Sequence, residues 1–245
     1  FSANVAAAAL SADSTVANIA FTGGTNSFSG AASFSNDGTL NLGNASGDTF
    51  AFNGGVTEST TGTVTLASAI SSSDDAISFG AVTLGANTTI DTNATTTSTA
   101  DLTIGAVTGG SNTLTLSTEN NIANADITAS GAISGVTTLT ISNAGGTATL
   151  SGDVDVTTLT IGNTVANVAI NGDGSTVTND IDFANDGTLQ LGDATGDTLT
   201  FNGGLDTSDV GGTVTLNGTI DTSNDAITFG AVTLGSATTI DTNAT

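Results

Sequence analysis

Short stretches of the chain alternate strictly between apolar and small polar residues. The alternation recurs in four-residue segments, namely TLNL (39–42), TFAF (49–52), TVTL (63–66), TLTL (113–116) and TLTI (138–141 and 158–161). A period of two residues is typical of a β-strand that buries one face. We therefore predict short strands with inward-facing apolar side chains, among them Leu40, Leu42, Phe50, Phe52, Val64, Leu66, Ile77 and Phe79.

Clusters of Asn, Asp, Ser and Gly separate these segments. Examples are Asn36-Asp37-Gly38, Ser46-Gly47-Asp48, Asn53-Gly54-Gly55 and Asn171-Gly172-Asp173-Gly174. Asn, Asp and Gly tolerate the left-handed backbone that tight turns need. Strands should begin about every 10–13 residues, so a coil of two or three strands would take roughly 20–25 residues. No segment resembles a helix, since strong helix formers other than Ala and Leu are nearly absent.

A long internal repeat organises the chain. Ser33–Gly55 returns as Asp182–Gly204, and Asp75–Thr95 returns as Asp225–Thr245. The offset is 149 residues, from position 33 to 182, and becomes 150 after an insertion near Gly211. Residues 1–149 are thus a first copy and residues 150–245 a partial second copy, an arrangement typical of repeat proteins.

This organisation predicts an all-β protein, a β-solenoid (parallel β-helix) that continues through residues 1–245. Many short strands could also build a sandwich or a barrel. The long duplication favours the solenoid, because each coil contacts only its neighbours and a copied block creates no misfit. We expect both ends to be cuts through a longer polypeptide.

The composition restricts the chemistry that is available. The 245 residues include no Lys, Arg, His, Cys, Met, Trp, Tyr or Pro, and 23 Asp and Glu residues give a net charge of −23. Such acidity suggests disorder, but 37% hydrophobic residues in strand-like patterns argue for a fold. Without cationic side chains the chain cannot neutralise phosphates, so we expect no nucleic-acid partner. No apolar run approaches the roughly 20 residues of a membrane-spanning helix, so we expect no membrane insertion.

The acidic turns are the candidate metal sites. Carboxylates and carbonyls at the corners could bind Ca²⁺, which prefers six to eight oxygen ligands. The candidate ligands are Asp37, Asp48, Asp173, Asp182, Asp186 and Asp197. The segment with Asn171, Asp173, Ser175 and Asp182 resembles an EF-hand loop but lacks its glycine at the sixth position. The alternative is that these side chains bind the backbone of their own turns.

The overall charge makes a separate case for cations. About eleven coils with a rise of about 4.8 Å give a length of roughly 53 Å. The spacing of the carboxylates is then about one per 2.3 Å, close to the roughly 1.7 Å between charges in duplex DNA. A line charge of this density attracts counterions, so we expect divalent cations to stiffen or bundle the fibre.

Two other patterns have alternative interpretations. The threonine pairs Thr63/Thr65, Thr138/Thr140, Thr158/Thr160 and Thr213/Thr215 could form an ice-binding array, although Thr is also a good outward-facing strand residue. Asp153 with Asp155, and Asp180 with Asp182, could act as the two carboxylates of a glycosidase. Enzymes of similar architecture that cleave acidic polysaccharides need basic residues for their substrates, and carbohydrate sites usually carry Trp or Tyr. Because this chain has none of these residues, we predict that it is not an enzyme.

Three segments carry a resemblance to a known class of proteins: GDTLTFNGG (196–204), GTVTLNGTI (212–220) and FGAVTLGSATTIDT (229–242). They resemble the repeats of giant bacterial surface proteins, both filamentous-haemagglutinin-like adhesins and autotransporter passenger domains. The resemblance implies export across the envelope and a filament or stalk outside the cell. Those families usually carry basic and aromatic residues, so this chain departs from them most in its composition.

Two functions remain open from the sequence. One is an extracellular structural filament, sheath or matrix fibre that self-associates and binds divalent cations. The other is an adhesin stalk whose binding tip lies outside these residues.

Overall fold

The structure is a computed structural model that describes residues 1–96, 100–119 and 122–243. The described residues form parallel strands stacked into a β-solenoid of about 11 turns, without a helix. The solenoid prediction is therefore confirmed. The second copy of the repeat ends in residues 244–245, which lie outside the described residues.

The strands are short and follow one another closely along the chain. Those of the first copy before the longest strand are β1 (Ala6–Ala7), β2 (Leu10–Ala12), β3 (Ile19–Phe21), β4 (Thr25–Phe28), β5 (Ala32–Phe34), β6 (Leu40–Leu42), β7 (Thr49–Phe52), β8 (Val56–Glu58), β9 (Val64–Leu66), β10 (Ala69–Ser72), β11 (Ile77–Phe79), β12 (Val82–Leu84), β13 (Thr88–Asp91), β14 (Leu102–Ile104), β15 (Val107–Thr108), β16 (Thr113–Ser117) and β17 (Ile127–Ala129). The others are β18 (Ile133–Leu150), β19 (Val154–Ile161), β20 (Val165–Ile170), β21 (Thr176–Val177), β22 (Ile181–Asp182), β23 (Leu189–Leu191), β24 (Thr198–Phe201), β25 (Leu205–Asp206), β26 (Val214–Asp221), β27 (Ile227–Thr228) and β28 (Val232–Asp241).

The strands stack in three parallel columns, so one coil contains three strands. Column 1 runs β1-β4-β7-β10-β13-β16 and continues through the middle of β18 and the end of β19. The ladder β22-β25-β27 extends the same side of the solenoid. Column 2 runs β2-β5-β8-β11-β14-β17, then the end of β18, β20, β23 and the first halves of β26 and β28. Column 3 runs β3-β6-β9-β12-β15, then the starts of β18 and β19, β21, β24 and the second halves of β26 and β28.

The strands follow one another at shorter intervals than the sequence predicted. Successive strands of a column are separated by as few as 18 residues, as from Val64 to Val82, and by as many as 26, as from Val107 to Ile133. With three strands in each such coil, the expected interval of about 10–13 residues between strand starts is too wide. Strands as short as β15 have too few residues to show an alternation.

The long repeat is not a whole number of coils. β6 lies in column 3, whereas its copy, β23, lies in column 2. Column 3 contains six further coils after β6, ending at β21, and two more strands then lead to β23. One repeat therefore spans six coils and two-thirds of a seventh, and each motif moves to a different column in the second copy.

The interior is a continuous apolar column. All eight residues predicted to point inward are at most 2% exposed. Phenylalanines fill the first coils: the Phe28 and Phe52 rings stack at 5.2 Å, and the Phe21 and Phe50 rings meet edge to face at 5.8 Å. Aromatic pairs with these geometries are favourable beyond the area that they bury.

Backbone meets backbone at the corners of the solenoid. A Cβ atom added to Gly62 would lie 2.1 Å from the carbonyl oxygen of Gly38 in the preceding coil. A Cβ added to Gly47 would find nothing within 4 Å. The two glycines therefore have different roles: Gly62 permits two coils to touch, and Gly47 lies in an open turn.

We predict that Gly62→Ala destabilises the chain by about 1–3 kcal/mol, because the new methyl group must push two backbones apart. Gly47→Ala is the matched control and should be neutral or stabilise by about 0.4–1 kcal/mol, since it only restricts the unfolded chain. Denaturant unfolding measures both changes. Equal effects of the two substitutions would contradict the coil contact at Gly62.

Candidate cation-binding turns

Two of the predicted metal ligands are committed to their own turns. The Asp48 carboxylate is buried and accepts hydrogen bonds from the backbone amides of Asn44 (2.8 Å) and Ala45 (3.2 Å). Asp197 makes the same pair with Asp193 (2.6 Å) and Ala194 (2.8 Å). The repeat thus preserves a carboxylate that satisfies two turn amides, which is the backbone-binding alternative for these positions.

Asp37 and Asp186 occupy equivalent exposed corners. Their backbone amides donate to the preceding coil, from Asp37 to Val16 at 3.2 Å and from Asp186 to Val165 at 3.0 Å. Their exposed carboxylates leave them accessible to ions in the solvent.

The residues of the EF-hand-like segment lie at different places in the solenoid and do not form one loop. Asp173 is exposed in a turn, where its carbonyl accepts the Thr198 amide at 2.7 Å. The Ser175 hydroxyl is buried and accepts the Val154 amide at 3.1 Å, while Asp182 lies in β22 of the next column. Among residues 1–96, 100–119 and 122–243, no cluster of three or more Asp or Glu side chains is placed to hold a metal ion. The six candidates are thus separate positions, five in turns and Asp182 in strand β22.

A set of inter-coil clamps was missed by the sequence reasoning. In each clamp an Asn or Asp side-chain oxygen accepts the backbone amide of a residue one coil later. Asn18 binds the amide of Thr39 at 2.9 Å, and its copy Asn167 binds that of Thr188 at 3.0 Å, both across 21 residues. Further clamps are Asn4 to Thr25, Asn87 to Thr113, Asp101 to Asp126, Asp126 to Thr147 and Asp153 to Gly174. The repeated pairing of Asn with a Thr 21 residues later was the available signal.

The most acidic surface lies on the last coils of column 1. Asp182 and Asp206 face each other in register on β22 and β25, and Asp180 and Asp225 line the same groove of about 430 Å³. Desolvation raises the pKa of Asp182 above its ordinary value, and the charges of Asp206 and Asp209 add to the effect. Hydrogen bonds from Ser208, first from its backbone amide, lower the pKa of Asp206. Asp182 is therefore the member of the pair whose ionised form is disfavoured, by desolvation first and by the neighbouring charges second.

The threonine pairs do not form one flat array. Thr138/Thr140 and Thr158/Thr160 lie in register with each other on column 1, and Thr113/Thr115 precede them. Thr63/Thr65 and Thr213/Thr215 flank strands of columns 3 and 2 instead. The regular patch is therefore three coils deep.

Comparison with known proteins adds no relative: no protein-family model, curated protein or solved structure matches this chain. Within the described residues, no helix has the length and apolar character needed to cross a bilayer.

We predict that Asp48→Ala destabilises the chain by about 1–3 kcal/mol, because it leaves two turn amides without their acceptor. The loss should be the same in millimolar calcium and in chelator, as measured by denaturant unfolding. Asp37→Ala, which removes an exposed carboxylate, should stay within about 0.5 kcal/mol. A loss at Asp48 that appears only in calcium would instead identify a metal ligand.

We predict that Asp182→Asn stabilises the chain at neutral pH by at most about 0.2–1 kcal/mol, the range for exposed charge pairs, because Asp182 is exposed and solvent screens its repulsion. A carboxyl whose pKa is raised by folding destabilises the fold while ionised, and the penalty disappears as the pH falls below the unfolded-state value. The gain over wild type in thermal melts should therefore vanish in acid. Asp186→Asn controls for the change in net charge, and an equal gain from it would refute the pairwise repulsion.

Proposed function

We propose that this chain is a structural segment of an extracellular filament, sheath or matrix fibre of the bacterial surface. The observation that carries the proposal is the stack of parallel strands around one apolar interior through about 11 turns. A solenoid of this kind lengthens by adding coils without a new core, which suits a fibre. Its resemblance to filamentous-haemagglutinin-like and autotransporter repeats supports the same role.

The bonding between coils is suited to resist extension. Columns 2 and 3 are backbone ladders directed along the solenoid axis, column 1 consists of two such ladders, and the inter-coil clamps reinforce the corners. Short loops and hydrogen-bonded turns leave little backbone free to unwind. Such a rod would hold its length in the medium, and the lack of Lys and Arg removes every trypsin cleavage site.

Charge governs how such rods could associate. The chain has 23 carboxylates and no cationic side chain, so two copies cannot form a salt bridge between side chains. Side-by-side packing therefore requires metal ions that bridge or neutralise the exposed carboxylates. We propose Ca²⁺ as the principal ion, because carboxylate and carbonyl oxygens are the ligands that it prefers. This binding is distributed along the corners, with Asp37 and Asp186 among the exposed positions.

An adhesin stalk is the second candidate function. One observation favours it: the surface of the rod is interrupted by a polar groove around residues 111–178. A pure scaffold has no need for such a groove. In either role we propose an extracellular location and no catalysis by this segment.

We predict that calcium raises the melting temperature and thickens bundles of the purified chain, and that a chelator reverses both effects. The physical reason is that ions bind the folded rod, whose carboxylates lie close together, better than the unfolded chain. Calorimetry and electron microscopy measure the two effects. Sodium chloride at equal ionic strength is the control, because screening alone should not thicken the bundles. Unchanged melting temperature and thickness would refute the role of cations.

A further inference from the structure

A polar groove crosses four successive coils at the corner between columns 3 and 1. Ser111 lines it in one coil, Thr137 in the next, Asp155 and Thr157 in the third, and Thr178 in the fourth. Its volume is about 470 Å³, within the range of about 300–1,000 Å³ for small-molecule sites. Three coil intervals make it about 14 Å long, parallel to the fibre axis.

A glycine and a strand irregularity lie where the groove crosses β18. The ladder between β18 and β19 is irregular between Ser134 and Val136, where Gly135 has a φ of +66°. A Cβ atom on Gly109 would lie 2.5 Å from the carbonyl carbon of Gly135, so the two backbones touch. Ser111 has a φ of +67°, a left-handed conformation uncommon outside glycine. Bulged strands are over-represented beside functional sites.

The groove offers hydrogen-bonding groups that the fold does not use. Asp155 points outward from β19, in register with Ser134 and Thr176, and Asp is depleted in strands. Within the described chain no group donates to its carboxylate, whereas Asp153 accepts the Gly174 amide at 2.9 Å. The Thr157 and Thr178 hydroxyls are likewise without protein partners there. Asp155 is thus exposed on a strand, and its carboxylate has no structural role there.

These groups fit a neutral ligand rich in hydroxyls. A carboxylate accepts hydrogen bonds, and threonine hydroxyls both donate and accept them, as a sugar requires. An anionic ligand would meet Asp155 without any cationic side chain to balance it. A calcium ion would find a single carboxylate among the residues that line the groove, against the six to eight oxygen ligands that it prefers.

We propose that this groove binds a neutral, linear oligosaccharide segment along the fibre axis. Asp155 accepts hydrogen bonds from sugar hydroxyls, and Thr157 and Thr178 bind adjacent sugar units. No aromatic residue lines the groove, so a single site is weak, with a Kd on the order of 1 mM. The proposal does not depend on the filament function and would give the fibre an adhesive side surface.

The test is to titrate the full 245-residue chain with cellohexaose, xylohexaose and hexagalacturonate. Ligand-observed NMR measures the binding of each hexamer. We expect at least one neutral hexamer to bind and hexagalacturonate not to bind. Asp155→Ala should weaken binding about tenfold or more, the loss expected for a hydrogen bond to a charged group. Thr157→Val, which keeps the shape of the side chain, should weaken it about threefold to fivefold.

Matched controls separate the groove from the rest of the surface. Asp173→Ala removes one exposed carboxylate from a turn outside the groove, and Thr128→Val changes an outward threonine of column 2; both should bind as wild type. Thermal melts identify any variant that fails to fold, and the conservative Thr157→Val then decides. Absence of binding by both neutral hexamers would overturn the proposal. So would tighter binding of hexagalacturonate, or equal losses in the groove variants and the controls.

Discussion

The fold depends on the contact between one coil and the next. Three equivalent residues in the two copies of the repeat show this dependence, because only those of the first copy are covered by a following coil. Val82, Leu84 and Ile90 are at most 4% exposed, because another coil covers them. Their copies in β28, with no described coil above them, are 42%, 60% and 50% exposed at Val232, Leu234 and Ile240. A coil therefore acquires an interior only from its neighbours, and the burial of apolar surface, the main stabilising term, is cooperative along the axis.

The acidic side chains divide into those that support turns and the contacts between coils and those that face the solvent. Asp48 and Asp197 complete turns, and Asp101, Asp126 and Asp153 join one coil to the next. In these positions a short polar side chain replaces a backbone partner that the corner cannot supply. The carboxylates at Asp37, Asp155 and Asp186 are not used in this way, and they define the surface that the surroundings meet. The carboxylates that hold the coils of this solenoid together are thus different from those that its surroundings meet.

Much of the fold could be predicted from local patterns, and the site could not. Alternation identified the inward residues, such as Leu40 and Phe52, because strand periodicity is a property of adjacent residues. The clamp from Asn18 to Thr39 joins residues 21 apart, so it depends on the coil length, which varies along the chain. The groove depends on the bulge beside Gly135, and no short sequence motif predicts that bulge. The six candidate metal ligands had the right residue type for calcium, but their spacing is set by the path of the coils, which local motifs do not specify.

The mismatch between the repeat and the coil has a consequence for any molecule that contacts the solenoid from outside. Since one unit ends two-thirds of the way round a coil, each successive unit would present the same motif a third of a turn away from the last. Wherever such units follow one another, a partner approaching from one direction would meet an identical surface only every third unit, after about twenty coils or roughly 96 Å. A solenoid built of such units would thus have no preferred side, and its contacts would be distributed evenly around its circumference.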